Sequence, residues 1–158
     1  METTRHFTAT VYVVHDAATA LHHHDRLGMW LPPGGHLHRD ELPHEAAIRE
    51  AREETGLEVT LTQSASGPRS ESARPLPQPE TILLEDINVH EDGIGHQHID
   101  FIYYGESQSR EIKPIGDEEH PADEWEWVTI AELEHDGRFD PDVTALGIDA
   151  IQTVSATE

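Results

Sequence analysis

The chain has 158 residues with 35% hydrophobic content, which is enough for one domain with a core. Its 32 acidic residues against 10 basic ones give a formal net charge of -22, and such a charge repels nucleic acids and anionic membranes. Because there is no cysteine and no apolar run of membrane-spanning length, we expect a soluble cytoplasmic protein without disulfides or thiolate zinc sites.

The first predicted element is a half-buried strand over residues 6–14, in which apolar and polar residues alternate. Ala20 and Leu21 are expected to add a short hairpin partner. The three consecutive histidines at 22–24 would point to opposite faces of a strand, so they cannot all reach one ion. We therefore expect them to form polar loop and strand-edge surface. Arg26 could meet a substrate phosphate if this loop faces the site.

A carboxylate-rich helix follows the Pro-Pro-Gly-Gly turn at 32–35. Pro43 suits its first turn, where a missing N–H has no consequence, and Asp40 or Glu41 can cap the exposed amides. Gly56 suits the left-handed position that ends a helix. These signals place the helix between Pro43 and Gly56.

Glu50, Glu53 and Glu54 stand at i, i+3 and i+4, so their three carboxylates share one face of this helix. Like charges this close repel one another, and a fold tolerates that poorly without a cation between them. Carboxylate oxygens are the ligands that Mg²⁺ or Mn²⁺ prefers. In so acidic a chain the alternative is an ordinary solvated helix face. The stretch predicts a hard-metal site on a helix.

Downstream of this helix the pattern predicts strands, long loops and a final helix. Strands are expected at 58–62, 81–89, 98–104 and 124–130, loops at 63–80 and 105–123, a turn at 91–97 and a C-terminal helix from 140 onward.

The spacing of the stretch from Gly35 to Leu57 resembles the Nudix box of the MutT-like Nudix hydrolases. The matching residues are Gly35, Glu41, Arg49, Glu50, Glu53, Glu54, Gly56 and Leu57. Ala51 departs slightly, because the box often has a larger aliphatic residue there. The resemblance implies a single α/β domain over residues 1–158 with the Nudix fold, a mixed β-sheet sandwiched between α-helices.

The same resemblance implies a metal-dependent hydrolase that cleaves the pyrophosphate linkage of a nucleoside diphosphate joined to a group X. Depending on the identity of X, the substrate would be a nucleotide sugar, an ADP-ribose-like compound or a nucleoside triphosphate. Mg²⁺ or Mn²⁺ would be held by Glu50, Glu53, Glu54 and the backbone carbonyl of Gly35. The alternative is a non-catalytic Nudix-fold nucleotide-binding module, against which the intact carboxylate set argues. Whether the chain forms a homodimer is left open.

The resemblance also implies roles for residues around the metal. Arg49 is expected to pair with Glu41 and hold the loop on the helix, while Gly56 ends that helix. Family members frequently add a carboxylate from outside the box as a base or an extra ligand, and the candidates are Glu106, Glu118 and Glu119. The sequence marks no subclass, because residues 63–80 lack the family's dinucleoside polyphosphate tyrosine and its NADH string, and Pro75 stands at the wrong offset for the ADP-ribose group.

The basic residues of this acidic chain comprise one lysine, Lys113, and nine arginines. Acidic, lysine-poor surfaces resemble those of proteins from cells with molar internal salt, where screening over a few ångströms removes the self-repulsion. We therefore expect the stability of the fold to fall in low-salt buffer.

Overall fold

The computed structural model describes residues 2–116 and 120–157, and its centre is one mixed eight-stranded sheet. The strands are β1 (Thr4–His15), β2 (Ala18–His24), β3 (Met29–Leu31), β4 (Gly34–His36), β5 (Val59–Leu61), β6 (Thr81–His90), β7 (Gly93–Ser107) and β8 (Trp125–Thr129). The helices are α1 (Pro43–Thr55), α2 (Ile130–His135) and α3 (Pro141–Thr157), with one 3-10 turn at Ala122–Glu124.

The sheet is organised by the parallel pairing of β1 with β7, whose partners are about ninety positions apart in sequence. On its other side β1 pairs antiparallel with β2 at its end and with β4 nearer its beginning. β7 continues the sheet with β5 and β6, and β2 continues it with β3 and β8. The short strand β4 therefore lies beside the middle of the sheet, next to residues 8–10 of β1.

Alternation along β1 and β7 builds a core on each face of the sheet, because successive side chains of a strand point to opposite sides. On one face Val11 and Tyr103 pack against Ala47 of α1. On the other face Tyr12 and Tyr104 pack in a cluster that includes α3. Each fully buried apolar side chain stabilises the fold by about 1.5–3 kcal/mol relative to an exposed one. The sheet is thus held between α1 and α3.

All strands and helices expected from the sequence are present, while β3 and β4 were not anticipated. The predicted turn at 91–97 is wrong, since β7 begins at Gly93 and only Glu91 and Asp92 turn the chain. The prediction for the triple histidine is wrong at His22, which is buried in β2 because β8 covers it and pairs His22 with Trp125. Within the described residues, no helix is both long and apolar enough to cross a membrane.

Candidate active site

Helix α1 carries the carboxylates and is anchored at both ends. Pro43 occupies its first turn, but the cap predicted at Asp40 or Glu41 is wrong. The N-cap is Leu42 in an extended conformation, and its N–H donates to Glu45 Oε1 at 3.0 Å. Glu41 does not cap, because its carboxylate accepts hydrogen bonds from Arg49 instead. Gly56 ends the helix at φ 73°, in the left-handed region where glycine is unstrained.

Arg49 connects the loop before α1 to the carboxylates on it. Its guanidinium donates to both oxygens of Glu41, with Nε to Oε2 at 2.7 Å and Nη2 to Oε1 at 3.0 Å. Nη1 donates to Glu50 at 2.9 Å and to Glu53 at 3.0 Å, and Nη2 reaches the carbonyl of His36 at 3.0 Å. The hydrogen bonds from Arg49 hold the pKa of Glu41 below its usual range. The expected contact between Arg49 and Glu41 is therefore present, and it fixes β4 and the following loop against α1.

Two glycines let the short strand β4 approach α1 closely. The N–H of Gly34 donates to Glu54 Oε1 at 3.1 Å. A Cβ on Gly35 would lie 2.5 Å from Glu50 Oε1, so any side chain there would push that carboxylate aside. A Cβ on Gly34 would lie 2.8 Å from the backbone oxygen of Ala9, which cannot move without disturbing the sheet. The glycine pair thus sets the positions of Glu50 and Glu54 at the edge of β4.

The group of carboxylates is suited to a hard divalent cation. Arg49 with Glu41, Glu50, Glu53 and Glu54 sums to a formal charge of -3, from four carboxylates and one guanidinium. Glu54 is 8% exposed, and the side chains of Glu50 and Glu53 are 15% and 37% exposed. Partly buried negative charge of this size favours a bound cation, and carboxylate and carbonyl oxygens match Mg²⁺ or Mn²⁺. The three box glutamates therefore have the donor chemistry for the metal that the sequence predicts.

A cleft of 860 Å³ begins at Gly34 and Gly35 and extends over the sheet face opposite α1. Its floor is formed by β1, β6 and β7, and the first residues of α3 close one side. Arg26 lies on its rim, where it could meet an anionic ligand as the sequence suggested. The volume is near the upper end of the usual range for small-molecule sites. The carboxylates of α1 and the cleft thus meet at the two glycines.

Two carboxyl groups in this cleft were missed by the sequence analysis. Asp100 is 3% exposed, and this burial raises its pKa above the usual range, although the Thr10 hydroxyl that it accepts at 2.9 and 3.0 Å partly offsets the shift. Burial and the neighbouring Asp100 raise the pKa of Glu85 to about 8, so Glu85 holds a proton at neutral pH. In the sequence, Asp100 interrupts an apolar run, and this interruption is the signal by which it could have been found. The cleft floor therefore carries two neighbouring carboxyl groups whose pKa values are both raised by burial.

Replacing Glu85 by Gln should make the fold less sensitive to rising pH. Unfolded Glu85 has its ordinary pKa of 4.5 and folded Glu85 one of about 8, so between these values the folded state binds more protons. The free energy of unfolding therefore falls as pH rises through this window. Discounted for partial exposure, the effect is on the order of 2 kcal/mol. Denaturant unfolding at pH 6 and pH 8.5 measures it.

The Glu85→Gln chain should gain stability over the wild type at pH 8.5 and less than half as much at pH 6, because pH 6 lies partway through the window between 4.5 and about 8. Glu91→Gln is the matched control, since Glu91 is an exposed glutamate in the turn that follows β6. An equal pH response of the two variants would contradict the assignment of the proton to Glu85.

Of the three candidates for a base outside the box, Glu106 is the one that the structure describes, and it does not lie with the carboxylates of α1. Glu106 pairs with Val14 in the sheet and therefore shares the face that packs on α3, opposite α1. Its carboxylate accepts the Gln108 side chain at 3.2 Å. Glu118 and Glu119 lie outside the described residues.

Comparison with known proteins gives consistent matches. A sequence profile of the NUDIX domain matches residues 4–146. The crystal structure of a NUDIX-family hydrolase from Clostridium perfringens is 31% identical, covers 96% of this chain and 99% of its own, and superposes with a TM-score of 0.78. A MutT protein from Methanosarcina mazei Go1 shares the fold at 16% identity, with coverage of 99% and 97% and a TM-score of 0.60.

A curated relative from Mus musculus, bis(5'-nucleosyl)-tetraphosphatase [asymmetrical], is 33% identical over 84 residues. That match covers 49% of this chain and 53% of the relative, so it spans about half the length of each.

Proposed function

This chain belongs to the NUDIX family and is a pyrophosphohydrolase that acts on phosphorus-containing anhydrides, and from this premise we propose that it cleaves a nucleoside diphosphate linked to a group X with Mg²⁺ or Mn²⁺. The observation that carries the proposal is the close approach at β4. Gly34 and Gly35 bring the end of the cleft into contact with Glu54 and Glu50, so a substrate in the cleft has its phosphates beside the carboxylates.

The cation would be held by Glu50, Glu53, Glu54 and the Gly35 carbonyl. When bound, it supplies positive charge for the phosphates and lowers the pKa of water. A chain with a net charge of -22 attracts a multiply anionic substrate poorly by itself, so this charge is needed for binding as well as for reaction. Hydrolysis at phosphorus depends mainly on positioning and charge neutralisation.

The residues of the chain then have distinct tasks. Arg49 holds Glu50 and Glu53 in place through Nη1 and keeps the loop of Glu41 on the helix. Glu54 ties α1 to β4 through the Gly34 N–H. Glu53 is the most exposed of the three box carboxylates, so it is the one that water reaches most readily, and we assign it the proton of the attacking water. Arg26 binds a phosphate at the rim of the cleft.

The first substrate class to examine is a pair of nucleosides joined by a polyphosphate. The Mus musculus relative is named for bis(5'-nucleosyl) tetraphosphates, and the cleft volume of 860 Å³ leaves room for a nucleotide with a further group. Such a compound is a nucleoside diphosphate with X being a second phosphorylated nucleoside. It therefore falls within the general reaction proposed above.

The test is hydrolysis of a panel by the full chain in multimolar KCl with Mg²⁺ or Mn²⁺, with products separated by chromatography. The panel contains a dinucleoside tetraphosphate, a nucleotide sugar, ADP-ribose and a nucleoside triphosphate. We expect products that come from cleavage of a pyrophosphate linkage, and no turnover after the cation is chelated. Binding of these nucleotides without turnover of any of them would instead support a non-catalytic module.

A further inference from the structure

Four histidine rings gather at the end of the cleft beyond the glycine pair. They are His6 on β1, His36 on β4, and His96 and His98 on β7. The ring centroids are 4.6 Å apart for His6 and His96, 4.9 Å for His36 and His98, 5.1 Å for His96 and His98, and 5.3 Å for His6 and His36. The chemistry assigned above to the box glutamates uses none of them.

The sheet register explains why these rings meet. In the parallel pairing of β1 with β7, His6 stands opposite His98 and Thr4 opposite His96. On the other side of β1, His36 stands opposite Thr8, which is the next residue after His6 on the same face. Three hydrogen-bonded strands therefore hold the histidines on the cleft face. A group built on strands is positioned more rigidly than one on loops.

Three of these histidines have the geometry of a metal site. His6, His36 and His96 each offer a ring nitrogen, and these atoms all lie within 4.8 Å of one another. A tetrahedral zinc ion with bonds of 2.0–2.1 Å needs ligand nitrogens about 3.3 Å apart, which side-chain rotation can reach from here. Imidazole suits Zn²⁺, Ni²⁺ and Cu²⁺, whereas Mg²⁺ prefers oxygen. The donor set therefore differs in kind from that of the carboxylates on α1.

A second contact orients His96 for such a role. Thr4 Oγ1 donates its one proton to the carbonyl of Gly95 at 3.2 Å, and it also lies 2.8 Å from His96 Nδ1. When the hydroxyl proton is directed to Gly95, the N–H at Nδ1 of His96 donates to Thr4 Oγ1. The lone pair is then on Nε2 of His96. Metal-bound histidines are commonly fixed through their other ring nitrogen in this way.

We propose that His6, His36 and His96 bind a divalent transition metal of the zinc class, with one coordination position open to the cleft for water or an anionic group. Both His6 and His36 are exposed and His96 is half-buried, so an ion can enter from solvent. The site is defined by metal binding alone and does not depend on the proposed hydrolysis.

Zinc binding by the full-length chain tests the proposal. Zn²⁺ is titrated in competition with a chromophoric chelator, in excess Mg²⁺ so that the carboxylates of α1 are occupied. We expect one tight site in the wild type. His6→Ala and His96→Ala should each weaken it at least about a hundredfold, and Thr4→Val about tenfold, as expected for losing a ligand and the partner that orients one.

Two controls separate this site from others. His24→Ala changes a different histidine group, in which the rings of His24 and His120 are 5.9 Å apart, and it should leave the affinity unchanged. Glu53→Gln should also leave it unchanged. Loss of tight binding in either control, or its retention in both His6→Ala and His96→Ala, would overturn the proposal.

X-ray absorption of the zinc-loaded wild type gives an answer that requires no variant to fold. Three imidazole nitrogens at about 2.0 Å are expected. An all-oxygen shell, or no bound zinc, would exclude the site.

Discussion

Replacing Glu53 by Gln should lower kcat at least about a hundredfold, equivalent to about 2.7 kcal/mol of transition-state stabilisation. Gln keeps the size of the side chain and an oxygen that can accept the hydrogen bond from Arg49, now 3.0 Å long. It removes one negative charge from the group that holds the cation and cannot take a proton from water. The rate therefore falls while the fold persists. The measurement is kcat with the best substrate of the panel at saturating Mg²⁺ in high salt.

Glu58→Gln makes the same chemical change at an exposed residue just beyond α1, and it should leave kcat unchanged. Circular dichroism of both variants checks that neither change unfolds the chain. Titration with Mn²⁺ followed by electron paramagnetic resonance should show weaker binding only in Glu53→Gln. Equal rates for the two variants would remove the proposed role of Glu53, and a rate loss without weaker metal binding would assign it to proton transfer alone.

Local sequence signals were sufficient for α1 because its determinants lie close together in the chain. Pro43 and Gly56 act within their own turns, and the predicted boundaries are those observed. The N-cap was predicted wrongly because a competing interaction was not visible locally. Glu41 is only eight residues from Arg49, yet the bidentate contact between them takes precedence over capping. A charge-assisted pair with two hydrogen bonds is stronger than one cap bond.

The cleft could not be predicted in the same way, because it depends on the pairing of distant strands. His6 and His98, or Thr8 and Asp100, become neighbours only when β1 pairs with β7 in this register. A shift of one residue would move each side chain to the other face of the sheet. The sequence shows the alternation within each strand but not the partner or the register. The box was therefore recognisable from sequence, whereas the proton-sharing carboxyl pair and the histidine group required the structure.

The thermal midpoint should rise by at least about 10 °C between 0.1 M and 3 M KCl, because screening at molar salt acts over only about 3 Å. Ten basic residues cannot pair with thirty-two acidic ones, so most carboxylates repel one another across the surface. One cation also serves several acids, since Arg138 lies within 4.0 Å of Glu126, Glu132 and Asp136. Scanning calorimetry at fixed pH measures the midpoint at each salt concentration.

A variant with fewer negative charges distinguishes screening from a general effect of salt on hydrophobic burial. Glu58→Lys, Glu71→Lys and Glu91→Lys replace exposed acids outside the candidate site, and at +2 each they change the net charge from -22 to -16. If repulsion causes the salt dependence, this variant should melt higher than the wild type in 0.1 M KCl and at the same temperature in 3 M KCl. If the thermal midpoint rises equally with KCl in both chains, the effect comes from hydrophobic burial, which salt strengthens in either chain. If the thermal midpoint of the wild type is the same in 0.1 M and 3 M KCl, adaptation of this surface to high salt is excluded.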